Sequence, residues 1–224
     1  MRRSKYITPS ILNVEKEARP KVVQELLDLG ITWVHYDVMD GDFVPNTAIE
    51  YEEIKNIKST VDKHFMDIHL MVRNPIANII EFADAGDIMT VHYEAVEDKD
   101  YFFNWLQDNE ANYKIGLAIN PETEVKSIKR FLPFLSLVLV MSVKPGAGGQ
   151  AFIPSALSKI EWLKEQRLVN QFSYLIQVDG GINDETGPMC FDAGVDAAVA
   201  GSYLVKEITT ERIKSILGSK YKLK

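Results

Sequence analysis

Side chains able to bind a cation or move a proton recur at matching points of several short apolar runs. One run ends in His35-Tyr36-Asp37-Val38-Met39-Asp40-Gly41 and another in Asp67-Ile68-His69-Leu70-Met71; others close on His92 and on Asp179-Gly180-Gly181. His35 and Asp37 are two apart, and on an extended chain residues i and i+2 project to the same side. Val34 and Tyr36 must then face the other way. A lone histidine at such a place is most often a hydrogen-bonded core residue. Two imidazoles and two carboxylates from three strands that share a rim also suit a divalent first-row cation such as Zn, Fe, Mn or Co. Both readings stand at this point. The remaining histidine, His64, precedes a run and lies among polar residues.

Glycine forms a second constellation. Pro145-Gly146-Ala147-Gly148-Gly149, Asp179-Gly180-Gly181-Ile182-Asn183 and Ala200-Gly201-Ser202 each follow an apolar run. Glycines let backbone N–H groups approach an anion closely. A single such turn says little; three in consecutive loops predict a phosphate site. Met39, Met71 and Met141 stand at run ends, where they can line an apolar pocket or simply fill the core.

The elements that must carry these residues alternate. Apolar, β-branched runs occupy Tyr6–Leu12, Trp33–Val38, Phe65–Met71, Ile88–His92, Lys114–Ile119, Leu135–Ser142, Tyr174–Val178 and Ala197–Ala200. Amphipathic spacing predicts helices over Lys16–Leu29, Ser155–Leu168, Asp184–Phe191 and Glu207–Leu217, with two more beginning near Pro75 and Glu122. Strands alternating with helices imply right-handed βαβ units and a parallel sheet. Eight units close most naturally into a (β/α)₈ barrel, with an open doubly wound sheet as the competing arrangement. A barrel carries its functional residues where strands end, and the loops after strands seven and eight are its usual phosphate site.

The 224 residues suit one such domain over 1–224, with a frayed basic tail over 219–224. The formal net charge of −7 argues against a nucleic-acid partner, which would call for a basic face. The one cysteine, Cys190, rules out an intrachain disulfide. The basic start Met1-Arg2-Arg3-Ser4-Lys5 is followed by an apolar run too short for a signal segment, and no stretch reaches a membrane-spanning length. A cytoplasmic, soluble protein is the expectation.

The ordered segments Thr8-Pro9-Ser10-Ile11-Leu12, His35 through Asn46, Asp67 through Met71, Thr90-Val91-His92, Leu117 through Thr123, Met141 through Gly146, Gly148-Gly149-Gln150 and Val178 through Ile182 cover nearly the whole chain. In these the sequence resembles the ribulose-phosphate 3-epimerase family. The resemblance implies a phosphate-binding (β/α)₈ TIM barrel that interconverts D-ribulose 5-phosphate and D-xylulose 5-phosphate in the pentose phosphate pathway. It implies one divalent metal ion held by His35, Asp37, His69 and Asp179, with Asp37 and Asp179 also serving as the acid/base pair. It further implies substrate contacts at Ser10, His69, Gly146, Ala147, Gly148, Gly149, Gly180, Gly181, Gly201 and Ser202, and a homo-oligomer, dimer or hexamer.

Departures from the family pattern fall outside that ligand set. Ala147 stands where an aromatic residue is usual, and Lys144 where Asn, Asp or Glu is common. Asp42 replaces a common His, and Thr47–Tyr51 lacks the usual Gly-Pro continuation. They leave room for an epimerase of another ketose phosphate, such as D-allulose 6-phosphate. A decarboxylase of the orotidine-phosphate type would need an Asp-x-Lys-x-x-Asp pattern that the third run lacks. A non-catalytic phosphosugar-binding barrel would be favoured by loss of a ligand, and all four are present.

Overall fold

The computed structural model describes residues 4–221. Eight parallel strands, β1 (Tyr6–Pro9), β2 (Trp33–Met39), β3 (Phe65–Met71), β4 (Ile88–His92), β5 (Ile115–Ile119), β6 (Leu137–Met141), β7 (Leu175–Asp179) and β8 (Ala197–Ala200), pair in sequence order, and β1 returns to β8. The remaining seam, between β1 and β2, is bridged at one point, Ser10 with His35. The barrel is therefore nearly closed, and its loosest join carries two residues of interest.

Strand residues of opposite parity separate into two apolar layers. Val34, Tyr36 and Val38 of β2, with Ile68 and Leu70 of β3 and Val138 and Val140 of β6, pack outward against the helices. Trp33, Ile88, Leu137, Leu139 and Ala197 pack inside the barrel. Trp33 contacts Tyr6 and Phe65 with ring centroids 5.3 and 4.7 Å away, plugging the end where the strands begin. Further along the same inward parity the residues turn polar: Thr8, His35, Asp37, Asp67, His69, Thr90 and Gln177 are all buried. An apolar floor thus supports a polar rim at the strand ends.

Around the strands run α1 (Arg19–Asp28), α2 (Tyr51–Thr60), α3 (Pro75–Phe82), α4 (Lys99–Asn109), α5 (Ala156–Val169), α6 (Thr186–Ala193), α7 (Ser202–Val205) and α8 (Thr210–Leu217). Three of these, α2, α4 and the one-turn α7, do not follow from the amphipathic spacing. In α2 only Ile54 and Ile57 are buried apolar residues, so its stripe is narrow, and in α4 aromatic residues blur the polar face. The Asp98 side chain caps α4 by accepting from the N–H groups of Asp100 and Tyr101. The helix expected from Glu122 is a 3₁₀ helix over Val125–Phe134. Val125, Ile128 and Phe131 are buried three apart, the spacing that lines one face at three residues per turn. The expected Glu207–Leu217 helix is likewise shortened to α8.

The tail was expected to fray from 219. Lys220 pairs with Asp192 at 2.6 Å, and Tyr221 packs on Phe191 with its hydroxyl 3.2 Å from the Phe191 carbonyl. Residues 222–224, the rest of that tail, and the basic residues 1–3 lie outside the described residues.

Candidate metal centre and phosphate pocket

The β2–β3 register builds the centre. It sets His35 opposite Asp67 and Asp37 opposite His69, so inward-facing polar residues meet across the ladder. His35 Nδ1 lies 2.7 Å from Asp67 Oδ2, which also accepts from Gln177 Nε2 at 2.7 Å. Asp67 can only accept as a carboxylate, so it holds a His35 proton on Nδ1 and leaves Nε2 as the nitrogen directed at the rim. There His35 Nε2 lies 3.2 Å from His69 Nδ1 and 3.4 Å from Asp37 Oδ1. His69 Nδ1 is 3.1 Å from Asp37 Oδ1 and 3.8 Å from Asp179 Oδ2. The second Asp37 oxygen accepts from Ser10 Oγ at 2.5 Å.

One donor atom from each of His35, Asp37, His69 and Asp179 falls within 4.8 Å of every other. Donors around one first-row cation, at bond lengths of about 2.0–2.2 Å, sit roughly 3.0–3.5 Å apart. The His35, His69 and Asp37 separations match that spacing. Two imidazole nitrogens and a carboxylate oxygen directed at one point repel unless positive charge lies between them. The residues present therefore fit a divalent cation.

The protein's own charges pull the two aspartates apart. Burial would raise Asp37, but His35 and His69 outweigh it and hold its carboxyl far below the ordinary range. Burial raises Asp179, and the negative charge of Asp37 adds to the rise. Burial likewise depresses His69 and His92. It would depress His35 too, but Asp67 and Asp37 raise that imidazole.

A cleft lies above the centre. Asp37, Asp179, Ser10, Met39, Met71 and Met141 are among the residues that line it. Its wall is made by 144–150, Gly180, Gly181, Gly201 and Ser202, so the three glycine turns also converge. Two of these glycines are required by close approach. At Gly180 (φ +122°) a Cβ would lie 2.5 Å from Val143 Cγ2, and at Gly181 (φ +64°) 2.5 Å from the Phe152 nitrogen. Asn46 Nδ2 donates to the Gly146 carbonyl at 2.8 Å, and Gln150 Nε2 donates to the carbonyls of Lys144 and Ala147, each at 2.7 Å. The Asn46 bond ties the exposed Ala147 turn to the segment after β2, and the Gln150 bonds brace the turn on itself.

Residues 6–205 match the sequence model of the ribulose-phosphate 3 epimerase family. The chain belongs to the ribulose-phosphate 3-epimerase family. A ribulose-phosphate 3-epimerase of Treponema pallidum is 39% identical over 203 residues, covering 90% of this chain and 92% of that one. The Bacillus subtilis ribulose-phosphate 3-epimerase is 37% identical over 219 residues, covering 96% of this chain and 99% of its own length. The fold is shared more widely: a crystal structure of 3-hexulose-6-phosphate synthase superposes with a TM-score of 0.65 at 16% identity, over 95% of this chain and 98% of that one. Among the described residues no helix is long and apolar enough to cross a membrane.

Sequence reasoning left Glu94 and Gln177 unassigned and gave Asp67 and His92 no role. Glu94 carried a legible signal: His92-Tyr93-Glu94 repeats the i, i+2 spacing of His35-Tyr36-Asp37. Gln177 lies in mid-strand and acts only through a register that sequence does not reveal.

Proposed function

We propose that this chain is a metal-dependent 3-epimerase that interconverts D-ribulose 5-phosphate and D-xylulose 5-phosphate. The single observation that carries the reading is that two carboxylates, Asp37 from β2 and Asp179 from β7, meet at one cation-competent centre and both line the glycine-walled cleft. Inverting C3 of a ketose requires one group to remove the proton and another to return one to the opposite face. At neutral pH such a pair needs one carboxylate ionised and one protonated.

Asp37 and Asp179 take those two roles, exchanging them with the direction of reaction. Ser10, donating to Asp37, fixes the orientation of that carboxylate. His35, Asp37, His69 and Asp179 would hold the metal, which would supply Lewis-acid stabilisation of the negative charge that develops on oxygen. The methionines exclude water from the reacting carbons. The backbone N–H groups of Gly146 to Gly149, Gly180, Gly181, Gly201 and Ser202 bind the phosphate without a lysine, which suits an acidic chain that takes an anion locally. The phosphate anchors the sugar so that remote binding energy positions C3. A cytoplasmic location, a single barrel domain and a dimer or hexamer accompany this reading; light scattering on the purified chain tests the last.

Purified protein should turn over ribulose 5-phosphate in a coupled assay, faster than allulose 6-phosphate. It should lose that activity to a chelator and regain it with Zn, Mn, Fe or Co. Full activity without bound metal, or preference for the hexulose phosphate, overturns the assignment.

A further inference from the structure

His92 is fully buried at the end of β4, and the ligand set leaves it out. Its Nε2 lies 2.8 Å from His69 Nε2, so one proton is shared between the two rings. Its Nδ1 lies 3.3 Å from Glu94 Oε2. The other Glu94 oxygen accepts from the Asn120 N–H at 2.8 Å and from the Thr123 hydroxyl. Lys159 Nζ holds the turn that supplies those donors, binding the carbonyls of Asn120, Pro121 and Thr123 at 2.7–2.8 Å. The carboxylate is thus surrounded by donors.

This order of partners has a polarity. An ionised carboxylate only accepts, so His92 must donate from Nδ1. A neutral imidazole carries one N–H, so His92 Nε2 is then an acceptor, and the shared proton belongs to His69 Nε2. That leaves the His69 lone pair on Nδ1, the atom that faces Asp37 and His35. We propose that Glu94, acting through His92, is a positioning residue that fixes the proton of His69 on Nε2 and keeps Nδ1 free to bind a cation. The inference rests on the reading of the centre as a metal site.

Glu94→Gln tests the polarity with almost no change of shape. The Gln carbonyl can still accept from Asn120 and Thr123, while its NH₂ faces His92 Nδ1. His92 must then accept at Nδ1 and donate from Nε2, and the His69 proton moves to Nδ1, where it blocks the lone pair. Long-range ¹H–¹⁵N spectra of the chelated full chain should show His69 protonated on Nε2 in the wild type and on Nδ1 in Glu94→Gln. The Kd for Zn²⁺, measured by chelator competition, should rise roughly 10- to 100-fold, the usual range for a group that orients a metal ligand.

Glu94→Ala, which lets water take the His92 proton, should weaken Zn²⁺ less than Glu94→Gln does. A merely space-filling Glu94 gives the reverse order, with the isosteric amide near wild type. The proposal is overturned if wild-type His69 carries its proton on Nδ1, a result that needs no variant to fold. It is overturned equally if Glu94→Gln leaves both the tautomer and the Kd unchanged. A wild type that binds no Zn²⁺ yet shows the stated tautomers refutes the metal reading alone.

Discussion

Replacing Gly201 with alanine tests ligand binding at the turn after β8. A Cβ built there meets only Ser10 Cβ, at 3.9 Å. The methyl group therefore costs the fold little and projects into the space assigned to the phosphate. If it displaces the phosphate from one charge-assisted N–H contact, the loss is about 1.5–3 kcal/mol. That corresponds to roughly a 10- to 150-fold rise in KM for ribulose 5-phosphate. Inorganic phosphate, as a competitive inhibitor, should show a Ki raised by a similar factor, while Tm changes by only a few degrees. Gly180→Ala is the contrasting control: with φ at +122° and Val143 Cγ2 2.5 Å from the new atom, it should lower Tm as well. A Gly201→Ala protein with wild-type Tm, KM and phosphate Ki would refute the placement of the phosphate at this turn.

The two acid/base groups can be told apart in D₂O. Asp179→Asn, with metal content verified, should lose at least about 10²-fold in turnover, yet still wash deuterium into C3 of one epimer; Asp37→Asn should do so with the other, and near-normal epimerisation by either variant rules out the pair. Asp67→Ala removes the acceptor that holds the His35 proton on Nδ1 and should weaken Zn²⁺ roughly 10- to 100-fold by chelator competition; an unchanged Kd contradicts that role. His64 is depressed below the ordinary imidazole value, chiefly by burial. It stays neutral in the fold, between the Asp62 carbonyl at 2.8 Å and the Tyr36 hydroxyl at 2.7 Å. The unfolded chain then binds the extra proton first, so stability is full above the unfolded pKa and falls as pH drops from about 6.5 toward the lower folded value. Urea midpoints of the wild type should fall over that window relative to His64→Gln, and parallel profiles would show that His64 does not contribute.

Strand positions were legible because a strand buried on both faces is a short, nearly continuous apolar run, and β3, β4 and β8 have the bounds expected of them. The rim residues were legible for a related reason. Polar side chains at the end of an apolar run have no place in a floor made of Trp33, Leu137 and Ile88, so they mark the mouth. The helices were harder to read, since a helix on the outside of a barrel needs only a narrow apolar stripe, and Ile54 and Ile57 suffice for α2. Inter-strand register could not be read at all. It decides that Asp67 serves His35, that Gln177 reaches across the barrel to Asp67, and that His92 stands behind His69. Types and spacing thus marked the candidate ligands, and the family resemblance selected among them, while the groups that orient them needed three dimensions.

The way the barrel closes has a bearing on how the chain is made. β1 leaves the ribosome before the other seven strands, but among the described residues its only extended ladder is with β8, Tyr6 opposite Ala197 through Pro9 opposite Ala200. Lys5, at the head of that strand, donates to the carbonyl of Val195, 190 residues further on. At a synthesis rate of about 5–20 residues per second, roughly 10–40 s pass before that partner exists. During that interval β2 through β7 can assemble their ladders in order, each new strand adding to the last. The single bridge to β2 is all the sheet offers β1 meanwhile. Nascent chains stalled before Ala197 should accordingly expose the first strand to protease while the middle of the sheet is already protected, and Ser10 reaches its lasting position only once the eighth strand arrives.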